Sequence, residues 1–312
     1  MKSPLHTILG ANGATGIGII QELKKRDLPI RAVSRSQQPQ EGMETQQADL
    51  LDPQSTRIAV KGSGYVYLAI GLPYDSQIWD KQWPVIMQNV IEACSEYNAK
   101  LIFLDNMYMY EHPLPVPFDE NQSQDSRTVK GTIRKKTASQ LLSAISDGKI
   151  EGVIGQAADF YGSYARNSLF YISFLERMLD GKNPQLLIKP DVLHTYANTS
   201  DNGRALVELA LDPSTHGQVW HLPVGKPITF HEILDISNRV LNSDFKLSVI
   251  ATPIRKVLML FMKPLRELEE MRYQFDQPYE MSWEKFKNHF PDFQITSYEE
   301  GIKDMVETLG KR

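Results

Sequence analysis

Three glycines recur at intervals of three near the start of the chain, at Gly10, Gly13 and Gly16. Such a turn uses glycine where the backbone takes positive φ, where it approaches a pyrophosphate, and where a helix packs tightly on a strand. Free amides at the start of the following helix then face the phosphate anion. Because this is the first strand-to-helix turn of the chain, it favours a dinucleotide site over a ligand-free tight turn. The expected cofactor contacts in the turn are Gly10, Asn12, Gly13, Ala14, Thr15 and Gly16.

Arg35 stands just after the second predicted strand, where the adenosine ribose of a dinucleotide would lie. An acidic residue there would bind the two ribose hydroxyls, whereas an arginine fits a 2′-phosphate. Arg35 therefore favours NADP over NAD, and the alternative is a solvated loop arginine.

The ends of the next two predicted strands supply four more expected cofactor contacts. Asp49 and Leu50 follow the third strand and would lie beside the adenine ring, although Asp49 could instead be an N-cap or turn aspartate. Ala69 and Gly71 end the fourth strand. Ligands in this kind of sheet occupy the crevice at the carboxyl ends of the strands, so these two residues are expected against the cofactor.

Two stretches carry candidate catalytic groups. Asn106 and Tyr108 follow the fifth predicted strand, where Asn106 could orient a substrate carbonyl or close the turn, and Tyr108 could donate a proton. Lys130 and Arg134 lie one turn apart on the next helix. A lysine acts as acid or base if burial and a neighbouring cation depress its pKa, and Arg134 would be that cation while also binding ribose hydroxyls. The alternative is an exposed Lys/Arg pair on a solvated helix face.

The elements that must position these residues alternate between strand and helix through the first half of the chain. This alternation predicts an α/β fold with a doubly wound parallel sheet. Past residue 160 the alternation loosens, and Asp201 is expected to cap one helix while Thr229 and Glu232 form a capping box on another. The predicted strands are 6–9, 30–33, 46–48, 65–70, 100–104, 152–155 and 219–222, and the predicted helices include 17–25, 83–97, 203–211, 229–241 and 298–309.

Composition narrows the classes of partner. The chain has 312 residues with 34 basic and 38 acidic side chains, which argues against nucleic acid or an anionic membrane as the main partner. The apolar residues 257–262 are too few to span a membrane and suggest a buried or lobe-facing helix. The single cysteine, Cys94, excludes an internal disulfide, and no metal site is expected. We expect a cytoplasmic protein with a small-molecule substrate, able to form a homodimer.

Several short motifs together resemble the extended short-chain dehydrogenase/reductases, the group of nucleotide-sugar epimerases and dehydratases. The resemblance implies a Rossmann core, residues 1–160 with about 190–222 returning to it, and a substrate lobe from about 161–189 and 223–312. It also implies NAD(P)-dependent hydride transfer to or from a carbonyl or carbinol carbon, with a nucleotide sugar as one possible substrate. The matching pieces are Gly10-x-x-Gly13-x-x-Gly16, Ala48-Asp49-Leu50, Gly71 with Pro73-Tyr74, residues 83–94, residues 158–162, residues 194–196 with Asp201, and residues 299–302.

The catalytic signature of that family is replaced here. Its members place a serine or threonine after the fifth strand and a Tyr-x-x-x-Lys on the following helix, and these positions correspond to Asn106, Lys130 and Arg134. Two other readings therefore stand beside the first. One is a non-catalytic NAD(P)-binding sensor, and the other is an NADPH-dependent reductase that uses a helix lysine, as in the isoflavone-reductase-like enzymes that this helix also resembles.

Overall fold

A seven-stranded parallel sheet forms the centre of the chain. The structure is a computed structural model that describes residues 3–36 and 42–310. The strands of this sheet are β1 (Leu5–Leu9), β2 (Ile30–Ser34), β3 (Glu44–Gln47), β4 (Ser63–Leu68), β5 (Lys100–Asp105), β6 (Gly152–Gln156) and β10 (Val219–His221). Their order is β10-β6-β5-β4-β1-β2-β3, and every neighbouring pair is parallel. The predicted doubly wound sheet is thereby confirmed.

Four short strands lie outside this sheet, in two small parallel pairs. They are β7 (Asp159–Tyr161) with β9 (Tyr196–Asn198), and β8 (Gln185–Leu186) with β11 (Ser248–Val249). A π-helical turn covers Tyr171–Leu175 and a 3-10 turn covers Pro213–Thr215. The helices are α1 (Ala14–Lys25), α2 (Pro53–Val60), α3 (Ser76–Tyr97), α4 (Val129–Ser146), α5 (Glu176–Leu179), α6 (Thr199–Leu211), α7 (Phe230–Leu241), α8 (Thr252–Phe261), α9 (Lys263–Glu269), α10 (Tyr273–Asp276), α11 (Glu284–His289) and α12 (Tyr298–Leu309).

Helices cover both faces of the sheet, and successive strand residues point to opposite faces. Ile102 of β5 packs toward α1 and α6, and its neighbour Phe103 packs toward α3 and α4. A third cluster joins the π-helical turn, α7 and α12 away from the sheet. It contains Tyr161, Phe174, Ile233, Ile302 and Leu309.

The long helix α3 begins seven residues before the start predicted from the sequence. Its N-cap is Asp75, whose carboxylate accepts hydrogen bonds from the amides of Gln77 and Ile78. Pro84 lies inside the helix. The predicted start near residue 83 is therefore too late, because the aspartate cap upstream decides the boundary although proline is also common in the first turn of a helix.

The cap of α6 also differs from the prediction. Asn198, not Asp201, accepts the amide hydrogen bonds at the start of this helix. Asp201 instead accepts hydrogen bonds from the amide and hydroxyl of Thr296 and from Arg204, and so ties α6 to the chain before α12. The capping box of Thr229 and Glu232 is confirmed.

Helix α8 differs from the buried or lobe-facing helix expected at residues 257–262. Leu260 is 71% exposed and Phe261 is 83% exposed. In the part of the chain that the structure describes, no helix has both the length and the apolar character needed to cross a membrane.

Candidate functional site

The glycine turn between β1 and α1 is closed by backbone contacts that leave no room for side chains. Gly10 has φ of +100°, and a Cβ there would lie 2.6 Å from the carbonyl oxygen of Ala69 at the end of β4. A Cβ at Gly16 would overlap the carbonyl oxygen of Gly10. The amide of Gly13 donates to that same oxygen over 2.9 Å. The turn therefore lies tightly against the neighbouring strand, at the point where the strand order reverses.

The first turn of α1 presents free donors. Its N-cap, Gly13, has no side chain to cap the helix, and the amides of Ala14 and Thr15 have no acceptor among the residues that the structure describes. The hydroxyl of Thr15 is buried and also has no partner there. Asn12 and Gly13 are exposed at the tip of the turn. Unpaired amides at a helix N-terminus, with a buried hydroxyl beside them, fit a pyrophosphate.

The expected adenosine contacts lie at the same edge of the sheet. Arg35 is exposed at the end of β2, and its carbonyl oxygen accepts a hydrogen bond from Gln47 over 2.8 Å. Asp49 is exposed and accepts the amide of Leu51 over 3.0 Å, so it forms a turn while Asp52 caps α2. A second carboxylate oxygen of Asp49 stays available to a ligand.

Of the three other expected cofactor contacts at this edge, two are buried and one is exposed. Leu50 and Ala69 are buried, 8% and 7% exposed, and the carbonyl oxygen of Leu50 accepts a hydrogen bond from Asn89. Gly71 is exposed, and a Cβ there would meet nothing within 4 Å. Open space at Gly71 is compatible with a ligand lying against the backbone.

Lys130 lies fully buried at the start of α4, with 0% exposure. Its ammonium group donates to the carboxylates of Glu267 in α9 and of Glu270 just beyond it, the latter over 3.1 Å. It also lies 4.7 Å from the ring centre of Tyr74. The cation faces two carboxylates rather than the neighbouring cation expected from the sequence.

The two glutamates also bind the amide ends of helices. Glu270 accepts the amides of Val129 and Lys130 in the first turn of α4. Glu267 accepts the amide of Ser76 in α3 over 3.1 Å. Burial raises the pKa of Glu267, but hydrogen bonds from Lys130 and Ser76 outweigh burial and leave this pKa below its ordinary value. Residues 267–270 therefore join the start of α3 to the start of α4.

Arg134 is enclosed rather than directed at a ribose. Its guanidinium donates two hydrogen bonds to one carboxylate oxygen of Asp105 at the end of β5, the Nε bond being 2.7 Å long. The rings of Trp83 and Phe103 lie 4.1 and 5.1 Å from it. Burial raises the pKa of Asp105, and the charge of Arg134 acts in the opposite direction. The expectation that Arg134 supplies a cation beside Lys130 is therefore corrected, because Asp105 neutralises it.

Asn106 and Tyr108 follow Asp105 in the loop after β5. The side-chain oxygen of Asn106 accepts the amide of Tyr108 over 3.2 Å, which is the turn-closing alternative. The ring of Tyr108 stacks on Trp79 at 6.1 Å and meets Tyr74 edge-on at 6.5 Å. Burial raises the pKa of Tyr108 well above its ordinary value, so this hydroxyl stays protonated as a hydrogen-bond donor.

A further polar pair lies at the end of β6 and was not predicted from the sequence as a pair. Asp159 accepts a hydrogen bond from Nε2 of His194 over 3.0 Å, and Nδ1 of His194 faces the carbonyl oxygen of Gln274 over 3.2 Å. Both ring nitrogens thus face oxygen atoms of the protein, which fixes the orientation of the ring. The side chain of Asp159 is 24% exposed. Tyr74, Tyr108 and Asp159 follow β4, β5 and β6, three neighbouring strands with a common edge.

Sequence spacing identified the glycine turn but missed the carboxylates that bind Lys130. Glu267 and Glu270 are 137 and 140 residues away from it along the chain. Their signal in the sequence is only a pair of acidic residues three positions apart on a helix, which is common on solvated surfaces.

Comparison with known proteins agrees with this geometry. Residues 10–147 match the model of a family described as NAD(P)H-binding. The chain shares its fold with solved structures of UDP-sugar epimerases. UDP-glucose 4-epimerase from Thermotoga maritima with UDP-glucose has a TM-score of 0.80 at 15% identity, covering 98% of this chain and 99% of that one. At the level of sequence, no curated protein matches the chain.

Two further solved structures share this fold over nearly the whole chain. The Bordetella bronchiseptica enzyme WbmH in complex with NAD+ has a TM-score of 0.78 at 13% identity and covers 99% of both chains. UDP-glucuronic acid 4-epimerase from Bacillus cereus in complex with NAD has a TM-score of 0.78 at 14% identity and covers 98% of both. The NAD(P)H-binding match spans the glycine turn and the helix that carries Lys130.

Proposed function

We propose that the chain is an NAD(P)-dependent enzyme of the epimerase/dehydratase-like type, acting on a carbonyl or carbinol carbon of a small substrate such as a nucleotide sugar. The observation that carries the proposal is the glycine turn with its unpaired amides at Ala14 and Thr15 and its unpartnered Thr15 hydroxyl. When bound, the dinucleotide would supply the hydride acceptor or donor.

The chain's own residues would then bind and orient. The amides of Ala14 and Thr15 would hold the pyrophosphate, and Asp49 would accept the adenine amine. Arg35 supports a preference for NADP because its exposed guanidinium can pair with a 2′-phosphate. Lys130 and Tyr108 are the candidate donors to a substrate oxygen. Asn106 would help to position them, and Arg134 would hold α4 against β5 through Asp105.

Titration of the pure protein with NADH and with NADPH, followed by nucleotide fluorescence, tests the cofactor half of this proposal. We expect binding of at least one of them at submillimolar concentration and tighter binding of NADPH. Arg35→Ser should weaken NADPH binding and leave NADH binding unchanged. The matched control is Arg57→Ser, which removes another surface arginine that pairs with Glu96 on α3. Failure of both nucleotides to bind at submillimolar concentration would overturn the proposal.

A second candidate function is a non-catalytic NAD(P)-binding sensor. It is favoured by the engagement of both cations on α4, since Lys130 binds Glu267 and Glu270 while Arg134 binds Asp105. Turnover of a carbonyl substrate, followed by NAD(P)H absorbance, distinguishes the two functions. If Lys130→Ala abolishes turnover while cofactor binding is retained, the sensor function is excluded.

A further inference from the structure

Helix α8 exposes several apolar side chains although one of its charged side chains is buried. Arg255 is 5% exposed and forms an ion pair with Glu269, whereas Ile254, Leu260 and Phe261 are 56%, 71% and 83% exposed. Ile254 and Phe261 are seven residues apart, which places them on the same face of the helix. Met262, directly after the helix, is 45% exposed. The apolar side chains thus form one exposed patch.

The same segment concentrates positive charge. Residues 245–266 contain no acidic residue, although the chain as a whole has a net charge of −4. Lys256 and Arg266 are exposed, and among the described residues neither forms a salt bridge, although the charge of Lys256 acts on the nearby Glu269 carboxylate. The basic residues of the segment are Lys246, Arg255, Lys256, Lys263 and Arg266. The overall charge balance that argued against an anionic partner therefore conceals one basic, apolar region.

Contacts on the inner side hold α8 and α9 in this orientation. Lys263 pairs with Asp75 at the start of α3, and Glu267 pairs with Lys130 at the start of α4. These ion pairs join α9 to the first turns of α3 and α4. By contrast, Ile254, Leu260, Phe261 and Met262 remain exposed.

We propose that the outer face of α8, formed by Ile254, Leu260, Phe261 and Met262 with Lys256 and Arg266, binds the surface of an anionic phospholipid bilayer. A helix of ten residues is about 15 Å long, so it would lie in the plane of the interface with its apolar side chains among the acyl chains. Lysine and arginine beside an apolar face match lipid phosphates in charge. A twofold contact with a second copy fits less well, because it would bring the same cations toward one another.

Co-sedimentation of the full-length protein with vesicles tests this surface. The protein should pellet with equimolar POPC and POPG, weakly with POPC alone, and less at high salt. Each basic residue near an anionic surface contributes about fivefold, so Lys256→Gln with Arg266→Gln should lower the partition coefficient about 25-fold. Leu260→Asp with Phe261→Asp should abolish binding. Ile58→Asp is the matched control, because Ile58 is an isoleucine 51% exposed on α2, and it should bind like the wild type.

Three results would overturn the proposal. The first is a lack of preference for anionic vesicles: the wild type stays in the supernatant with POPC/POPG vesicles, or it binds POPC vesicles equally well. Another is unchanged binding by the Leu260→Asp/Phe261→Asp variant. The third is a wild-type dimer, measured by light scattering, that this variant converts to a monomer, since the patch would then serve a second copy. Thermal melting confirms folding of each variant, and the glutamine variant tests the charges without adding a carboxylate.

Discussion

Replacing Asp105 by asparagine removes a charge at nearly constant size, beside an arginine that has no other acceptor in the described part of the chain. The Asp105 and Arg134 side chains are 0% and 3% exposed, and Arg134 directs both of its hydrogen bonds at one carboxylate oxygen. Breaking a buried pair in this way leaves an uncompensated charge and costs about 3–5 kcal/mol. The same loss should not follow from removing an exposed ion pair, such as Arg57 with Glu96.

The expected change in melting temperature follows from the size of the protein. An unfolding entropy of about 2.1 cal/mol/K per residue gives about 0.65 kcal/mol/K for 312 residues. Asp105→Asn should therefore lower the melting temperature by about 5–8 °C in calorimetry. Arg134→Met should cost less, because methionine can pack between Trp83 and Phe103 and burial raises the pKa of Asp105, which lets the lone carboxyl take up a proton.

The double variant, Asp105→Asn with Arg134→Met, should recover stability relative to Asp105→Asn alone, with a coupling energy of about 2–3 kcal/mol. Nucleotide titration of the same proteins separates the two roles considered for Arg134. A residue that only joins α4 to β5 leaves cofactor affinity unchanged in the double variant. Loss of affinity with stability retained would refute our reasoning and restore Arg134 as a ribose ligand, and so would a cost below about 1 kcal/mol for Asp105→Asn.

Three further predictions concern the turn, one histidine and one cap. Gly10→Ala should weaken NAD(P)H binding in fluorescence titration, because the new Cβ would meet the Ala69 carbonyl oxygen. The expected loss is roughly tenfold or more, and a tenfold loss corresponds to about 1.4 kcal/mol. The control is Gly62→Ala, which should leave the affinity unchanged because Gly62 also has positive φ but lies in open space. Burial lowers the pKa of His6 from 6.5 to about 4, so the unfolded chain binds a proton that the folded chain excludes. Stability from neutral His6 is thus complete above pH 6.5 and falls by about 2–3 kcal/mol on acidification to about pH 4.5. Urea midpoints should show this slope in the wild type and in His231→Gln, an exposed control. In His6→Gln the slope should be smaller by this amount, and the remainder includes His221, whose pKa burial also lowers. Asp201→Ala should lower the free energy of unfolding in urea by about 2–3 kcal/mol, because the Thr296 amide loses its acceptor. The N-cap change Asn198→Ala should lower it by only about 1 kcal/mol. Equal losses for the two variants would contradict this assignment.

The parallel sheet was predictable because its signal is local. Each strand is a short apolar run, and the alternation with helices leaves few other arrangements. The starts of helices were harder to predict where two local sequence signals compete. Pro84 looks like the first turn of a helix that in fact begins at Ser76, and Asp201 looks like a cap although Asn198 occupies that position. In both cases the deciding group is a side chain that binds amides two or three residues further on.

The candidate site was predictable only in its cofactor half. The glycine turn is contiguous in the sequence, and its function depends on backbone that the glycines themselves determine. The environment of Lys130 depends instead on α9, and that of Arg134 on the end of β5. No spacing rule connects such distant segments, so the charge expected beside Lys130 had the wrong sign.

Both cations of α4, Lys130 and Arg134, have acidic partners. Arg134 has Asp105 directly at the end of β5, and Lys130 has Glu267 and Glu270. Two cations buried together without these carboxylates would be costly, so the two cations and their three carboxylates form one consistent set. The two pairs differ in what surrounds them. Asp105 is enclosed by the sheet, whereas the carboxylates on Lys130 come from a helix whose neighbour, α8, exposes its apolar face to solvent. Because Glu267 and Glu270 are 13% and 22% exposed whereas Asp105 is fully buried, we expect a substrate oxygen to compete for Lys130 rather than for Arg134.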